Sequence, residues 1–578
     1  MTHTFRVWAP LAQRVDVDVG GNRHAMAGDE WGWWEASVVD AGPGDEYWFR
    51  IDGGEALPDP RSSFQPSGVH GPSQILDHSA YAWNDSGWRG FALRDAVIYE
   101  LHTGTFSEAG TFDGVCDRLD HLVQLGVNAI ELMPVGEFAG LRGWGYDSVD
   151  LFAPHHAYGG PESLKRLVDA CHARGVAVLI DVVYNHVGPE GNYLGKFGPY
   201  FTDRYATPWG DAINYDGPDS DEVRGFVVDN ALMWLRDYHC DGLRLDAVHE
   251  IIDTSATHIL EEIVTRVEAL RDEVGRELWV IAESDSNDPR LVRDRVLGGY
   301  GVHAQWSDNF HHAVHALLTG ERNGYYVDFG SPNDVCTALR QAFVYTGQYS
   351  RFRRRRHGRP VGELPLHRFL GYAQNHDQVG NRAAGDRLCH IVSAGRARVA
   401  AALALLSPFV PLVFQGEEWA ASTPFQYFTE FGDPELKQAV SAGRRREFRD
   451  FGWAPADVPD PSALETFNRS RLRWEELAGR DHAAMLEWYR ALIALRKATP
   501  RLRESLPAGV RAWHDDERSL LFYENARLLM VCNLGTAPAD VVEASGSELV
   551  LSSAPLDDHA GRWSCPADAV AVWSRQDG

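Results

Sequence analysis

From about Arg94 onward the chain alternates short, almost purely apolar runs with helical stretches, and this pattern restricts the fold more than any other feature. The runs are Ala96–His102, Ala129–Pro134, Val176–Val183, Gly242–Val248, Leu278–Glu283, Val302–Trp306, Phe369–Gln374 and Val410–Gln415. Helical stretches between them include Gly114–Leu125, Glu162–Arg174, Val223–Tyr238 and His258–Val274. Strands without polar alternation are buried on both faces, which means a parallel sheet covered by helices. Eight such units predict an α/β protein built on a closed (β/α)8 TIM barrel. An open doubly wound sheet is the alternative, weakened because no GxGxxG follows the first strand.

The flanks have a different texture. Before the barrel, Phe5–Ala9, Val15–Val19, Trp31–Val38 and Tyr47–Ile51 are short strands between Gly, Pro and Asp turns, which predicts a small β-sandwich over residues 1–93. The barrel is expected over residues 94–500, closed by a helix at Ala483–Ala498, and a C-terminal β-domain over residues 501–578. Residues 188–218 replace a short βα loop with a long insertion rich in Gly, Pro and aromatic residues, expected to be a functional lid. The basic run Arg351–Arg359 is expected to be a solvated loop balancing acidic neighbours.

At 578 residues the chain has room for several domains, and its net charge of −27 disfavours nucleic acid or an anionic membrane as partner. The N-terminus lacks a basic region followed by an apolar core, so no signal peptide is expected. The longest apolar run, Val399–Phe414, is broken by Ser407, Pro408 and Pro411 and is too short to span a bilayer. Seven cysteines without CxxC spacing fit a reduced, cytoplasmic setting. The 19 tryptophans fit sugar-binding platforms and large cores equally.

Five of the predicted strands end in polar, titratable groups: Asp181 with Asn185 and His186; Arg244 with Asp246; Glu283; Asn375-His376-Asp377; and Gln415 with Glu417 and Glu418. Arg244 and Asp246 fall on the same face of their strand, either as a structural salt bridge or as a carboxylate held ionised by its neighbour. Barrel active sites lie at the C-terminal strand ends, so these groups converge. Carboxylates there serve either to cage a divalent cation, as in a lyase or isomerase, or to divide the labour of glycoside cleavage. Arg244 would depress the pKa of Asp246, suiting a nucleophile, and Glu283 ends an apolar strand that would raise its pKa toward that of a general acid. Trp144 and Tyr146 offer flat surfaces for a sugar, and His186 and His376 offer hydrogen bonds to hydroxyls.

The blocks Asp181–His186, Gly242–Ala247, Ala282-Glu283 and Asn375–Asp377 resemble the four signature regions of the α-amylase superfamily, in the same order and on the same strands. The resemblance covers roughly residues 95–490. It implies Asp246 as nucleophile, Glu283 as acid/base and Asp377 as transition-state stabiliser. Asp181, His186, Arg244 and His376 would surround the sugar, with Tyr146 stacked beneath it. Asp246–Asp253, Ile281–Asp285 with Asn287–Arg290, His376–Arg382 and Gln415–Phe425 resemble the malto-oligosyltrehalose trehalohydrolase family in particular, with Asn287–Arg290 expected to cap a helix. That resemblance implies hydrolysis of the α-1,4 bond beside the terminal trehalose of maltooligosyl trehalose, alongside a maltooligosyl trehalose synthase. Glycogen branching enzymes and other α-glucan-active members remain the alternative, and a metal-dependent lyase or isomerase a distant one. Many amylases carry Lys-His where this chain has His249-Glu250. That pair and the lid aromatics, Trp209 among them, are the expected contacts to the leaving sugar. Amylase calcium sites use an Asn matching Asn185, but the insertion holds no Asp cluster, so neither metal nor cofactor is expected.

Overall fold

A computed structural model describes residues 2–450, 458–558 and 563–575, with side chains at 447–450 and 558 left aside. All eight predicted barrel strands are present: β1 (Ile98–Leu101), β2 (Ala129–Leu132), β3 (Ala177–Val182), β4 (Gly242–Leu245), β5 (Trp279–Ala282), β6 (Ala304–Trp306), β7 (Phe369–Gly371) and β8 (Val410–Phe414). They close in chain order into one barrel, with β8 paired to β1 and every pairing parallel. Every residue of these strands is buried, which is why they read as continuous apolar runs.

Helices α1 (Leu119–Leu125), α2 (Gly160–His172), α3 (Ser220–Arg236), α4 (Ile259–Val274), α5 (Asp308–Thr319), α6 (Ala394–Leu405), α7 (Pro434–Asp450) and α8 (Arg480–Ala498) follow or join the strands. Ser307 and Ser393 cap α5 and α6 by accepting from the backbone N–H of Phe310 and Arg396. Asn287–Arg290 caps no helix. Asn287 instead donates to the Asn309 side chain at 2.7 Å, and Asp288 accepts from the Arg290 N–H in a local turn.

Ahead of the barrel, a three-stranded sheet (Thr2–Trp8, Trp33–Val39, Ala27–Gly28) faces a four-stranded one (Asn22–Ala25, Val15–Val19, Glu46–Ile51, Ser73–Gln74) across Phe5, Val7, Val17 and Phe49. After it, five strands form a C-terminal sheet in the order Arg511–Asp515, Leu520–Asn525, Leu528–Asn533, Ala569–Ser574, Glu548–Ser552. Among the described residues no helix is long and apolar enough to cross a membrane. All seven cysteines are unpaired.

The insertion at 188–218 carries a short helix, Leu194–Phe197, and a hairpin, Phe201–Thr207 with Gly210–Ile213. Its aromatic residues divide. Phe197 and Tyr200 are buried against Phe49 and Trp8 of the N-terminal sheets, anchoring the insertion, whereas Phe201 and Trp209 face the cavity above the barrel. The basic run is largely exposed as expected: Arg351–Arg354 are the turn of a hairpin, and only Arg355–Gly358 is strand, paired with Thr346–Ser350. The balancing of acidic neighbours holds for Arg351, paired to Asp328, and Arg353, paired to Asp285.

Candidate active site

The strand ends bring their polar groups together under one cavity. On β4, Arg244 points into the barrel and is completely buried. Its Nη1 donates to both Asp181 oxygens on β3 (2.8 and 2.7 Å) and to Asp246 Oδ1 (2.9 Å), while Nη2 donates to Glu283 Oε2 just beyond β5 (2.8 Å). One guanidinium thus grips three carboxyl groups, and it also lies 4.3 Å over the Trp306 ring. The chain leaves β4 through Ala247, whose φ of 38° is left-handed and strained for an alanine. That turn aims the Ala247 N–H at Glu283 Oε2 (2.8 Å).

The second oxygen of Asp246 accepts from Asn185 Nδ2 (2.7 Å), and the Asn185 amide oxygen contacts His186 Nδ1. Tyr146 reaches the same cluster because Gly145, with φ of 94°, turns the loop where a Cβ would lie 2.4 Å from the Pro134 carbonyl. The Tyr146 hydroxyl donates to Asp181 Oδ2 (2.5 Å) and meets His376 Nε2 at 2.7 Å. Beyond β7, Asn375 accepts from the N–H groups of Asp377 and Gln378, starting a short helix that lifts Asp377 into the cavity. Asp377 Oδ1 accepts from Asn381 Nδ2 at 3.2 Å.

These surroundings drive the carboxyl groups apart electrostatically. Burial alone would raise Asp246, but the Arg244 guanidinium, His186 and the Asn185 amide more than offset it, holding the carboxyl below its ordinary value. Burial raises Glu283 well above the usual range; Arg244 opposes this, and Asp246 and Asp377 add to it. Burial also lifts Asp181 to about 7 against the pull of Arg244. The cluster therefore presents one anionic carboxylate and one protonated acid side by side.

The cavity measures about 930 Å³, and Asp246, Glu283, Asp377, Tyr146, His186, His249 and Trp209 line it. Asp181, Arg244 and His376 lie buried beneath it and act on it through their neighbours. Glu250 is not part of the lining; its carboxylate stands 3.8 Å from His249 Nε2. Both ring nitrogens of His186 already meet protein oxygens, those of Asn185 and Tyr146, and its ring stacks on Trp209 at 4.1 Å. Trp144 contributes an edge only, being buried against Phe425. Sequence reading missed the opposite wall, made by Phe431, Leu436, Val440 and Arg444 around α7. It follows the last strand, where barrel periodicity has nothing more to indicate.

Among the described residues one group, Glu137, His155 and His156, has three metal-capable side chains within 4.8 Å of one another. Glu137 there accepts from the His156 N–H and contacts both imidazoles, and the group is outside the cavity lining. Glu137 holds Nδ1 of both imidazoles, while the buried His155 Nε2 has no hydrogen-bond partner.

A parallel eight-stranded barrel with a buried arginine, a depressed Asp and an elevated Glu at its C-terminal mouth defines an α-amylase-type glycoside hydrolase. The family model of the alpha-amylase catalytic domain matches residues 74–206. The chain is 50% identical to the malto-oligosyltrehalose trehalohydrolase of Arthrobacter ramosus, over 94% of this chain and 95% of that protein. It is 46% identical to that of Saccharolobus solfataricus, over 86% and 85%. A Salmonella typhimurium protein described as an alpha amylase superposes with a TM-score of 0.91 at 38% identity, covering 99% of this chain and 98% of that one. The chain belongs to the malto-oligosyltrehalose trehalohydrolase family.

Proposed function

We propose that the protein hydrolyses the α-1,4 bond next to the terminal trehalose of maltooligosyl trehalose, releasing trehalose and a maltooligosaccharide. The observation that carries the chemistry is the pair of carboxyl groups on one guanidinium, Asp246 held anionic and Glu283 held protonated. Glu283 gives its proton to the glycosidic oxygen as the C–O bond breaks, and Asp246 attacks the anomeric carbon to form a covalent glycosyl ester. Glu283, now anionic, takes a proton from water, whose oxygen displaces Asp246. Two carboxyls sharing adjacent nitrogens of one arginine suit the short separation of about 5–5.5 Å that retention needs. Asp377, on the cavity wall, stabilises the oxocarbenium charge between them. His249 and Trp209 line the same cavity and are the candidate contacts to the leaving trehalose.

The names of the relatives at 44–50% identity support this substrate over plain glucan. The substrate ends in trehalose, so a maltooligosyl trehalose synthase acts before this enzyme, and the unpaired cysteines favour the cytoplasm. Neither nucleic acid nor membrane enters the reading, given the net charge of −27. The test is product analysis on maltooligosyl trehalose beside an ordinary maltooligosaccharide. Trehalose release from the first, with slow cutting of the second, is expected. Equal or faster cutting of the plain chain, or new α-1,6 links from amylose, would overturn the assignment.

A further inference from the structure

Glu100 and Glu131 are paired in register on β1 and β2, both completely buried inside the barrel, yet only one of them has a partner. Glu100 Oε2 accepts the His376 N–H at 3.0 Å, and its Oε1 is bonded to His376 Nδ1. Neither oxygen of Glu131 has a hydrogen-bond partner. Two carboxyl groups this close cannot both ionise in a dry interior. Burial first, and the Glu100 charge second, push Glu131 well above its ordinary value, and the two contacts to His376 make Glu100 the hydrogen-bonding member of the pair.

We propose that Glu100 is a positioning residue for catalysis: it clamps His376 at two points and keeps it doubly protonated, so that His376 holds the Tyr146 hydroxyl onto Asp181 beneath the sugar. Hydrogen-bond inventory leads to this state. The Tyr146 hydroxyl has one proton, and it is directed to Asp181 Oδ2 at 2.5 Å. Its oxygen must then accept from His376 Nε2–H at 2.7 Å, while His376 Nδ1–H donates to the Glu100 carboxylate. The chain continues from Asp181 through Arg244 to Asp246 and Glu283. Glu100 thereby acts on the reacting carboxyls through four intermediate groups and without touching substrate.

The charged and titratable groups facing the ring come from every adjoining element: Glu100, Glu131, Asp181, Arg244, Asp377 and Tyr146; His102 stands behind them and is itself neutral. Burial lowers His376, but Glu100 and then Asp377 more than reverse it, to about 9. That exceeds the value of about 7 at Asp181, so the proton belongs on the imidazole.

The inference rests on the proposed roles of Asp246 and Glu283, but its primary test needs no substrate. In the full-length protein labelled with 15N-histidine, His376 is assigned by loss of its signals in His376→Gln. Both ring nitrogens are expected at protonated shifts at neutral pH, and Glu100→Gln, which keeps an oxygen for the His376 N–H but removes the charge, should leave one unprotonated. Glu100→Gln should also lower kcat about 10–100-fold with a smaller change in KM, and move the alkaline limb of the rate profile to lower pH. A neutral His376 in the unsubstituted protein overturns the proposal, whether or not the variant folds. So does a folded Glu100→Gln enzyme with kcat within about twofold and an unmoved pH profile. Failure to release trehalose would instead overturn the functional reading and leave the spectrum intact.

Discussion

Strand β4 carries a buried carboxylate at each end: Asp241 immediately before it and Asp246 immediately after it. At the lower end Asp241 is fully enclosed. Its Oδ1 accepts from Trp88 Nε1 (2.6 Å), and its Oδ2 from the Val178 N–H (2.8 Å) and His172 Nε2 (2.9 Å). His172 is held from its other side by Asp85 at 2.9 Å, and the ring lies flat on Trp88. At the upper end Asp246 has donors too, from Arg244 and Asn185, but one side faces the open cavity. The lower carboxylate is saturated by groups that hold the fold together. The upper one is oriented yet left accessible, in a cluster where three carboxyl groups share one guanidinium. Buried charge stabilises where it is closed off and is available for chemistry where it is left open.

Asparagine substitutions at the two ends should break the comparison in opposite ways. Asp246→Asn should cut turnover on the order of 10⁴-fold or more, with binding and melting temperature nearly unchanged. Asp241→Asn should leave turnover per folded molecule intact but cost about 1.5–3 kcal/mol of stability, because His172 keeps only Asp85 as its anion. Denaturant unfolding and single-substrate kinetics on the pair decide it; turnover surviving in the first variant would remove Asp246 as nucleophile.

Glu283→Gln comes next, with an expected loss of about 10²–10⁴-fold. The pH dependence follows from the directions of the shifts. Activity needs Asp246 ionised, and its value is lowered, so the acid limb should fall below the ordinary carboxylate range. Activity also needs Glu283 protonated, and its value is raised, so the alkaline limb should be set by Glu283 and should disappear in Glu283→Gln. An alkaline limb unchanged in that variant would assign the acid elsewhere.

The smallest effect belongs to the lower end. Burial alone would lower His172, but Asp241 and Asp85 raise it above its ordinary value of 6.5. A raised native value means stability fully present below the unfolded value and lost as pH rises through the native one. Melting temperature should therefore drop by a few degrees on the alkaline side of neutrality, and His172→Gln should flatten that dependence. A parallel slope in the variant would show that other groups carry it.

Much of the molecule was legible in the sequence because barrel strands are a local signal. Eight apolar runs gave eight strands, and the C-terminal ends marked the mouth. Asp246, Glu283 and Asp377 were legible because each sits at or just past a strand end, where the topology itself gathers them. What was not legible depended on long-range packing. Trp209 and Tyr200 lie nine residues apart in one aromatic insertion, yet one faces the cavity and the other is buried under Trp8. The α7 wall lies in a polar stretch with no barrel pattern. Glu100 appeared as one acid within an apolar strand, and nothing local connected it to His376, 276 residues away.

By itself, then, the sequence determined the barrel, the order of its strands and the residue types at its mouth, since these follow from periodicity and from which strand end a side chain occupies. The tertiary structure decided how completely each of the two buried aspartates flanking one strand is enclosed, which histidines are already engaged and which acids burial pushes toward the protonated form. Those depend on desolvation and on hydrogen-bond partners from other strands, and both come into being only when the barrel closes.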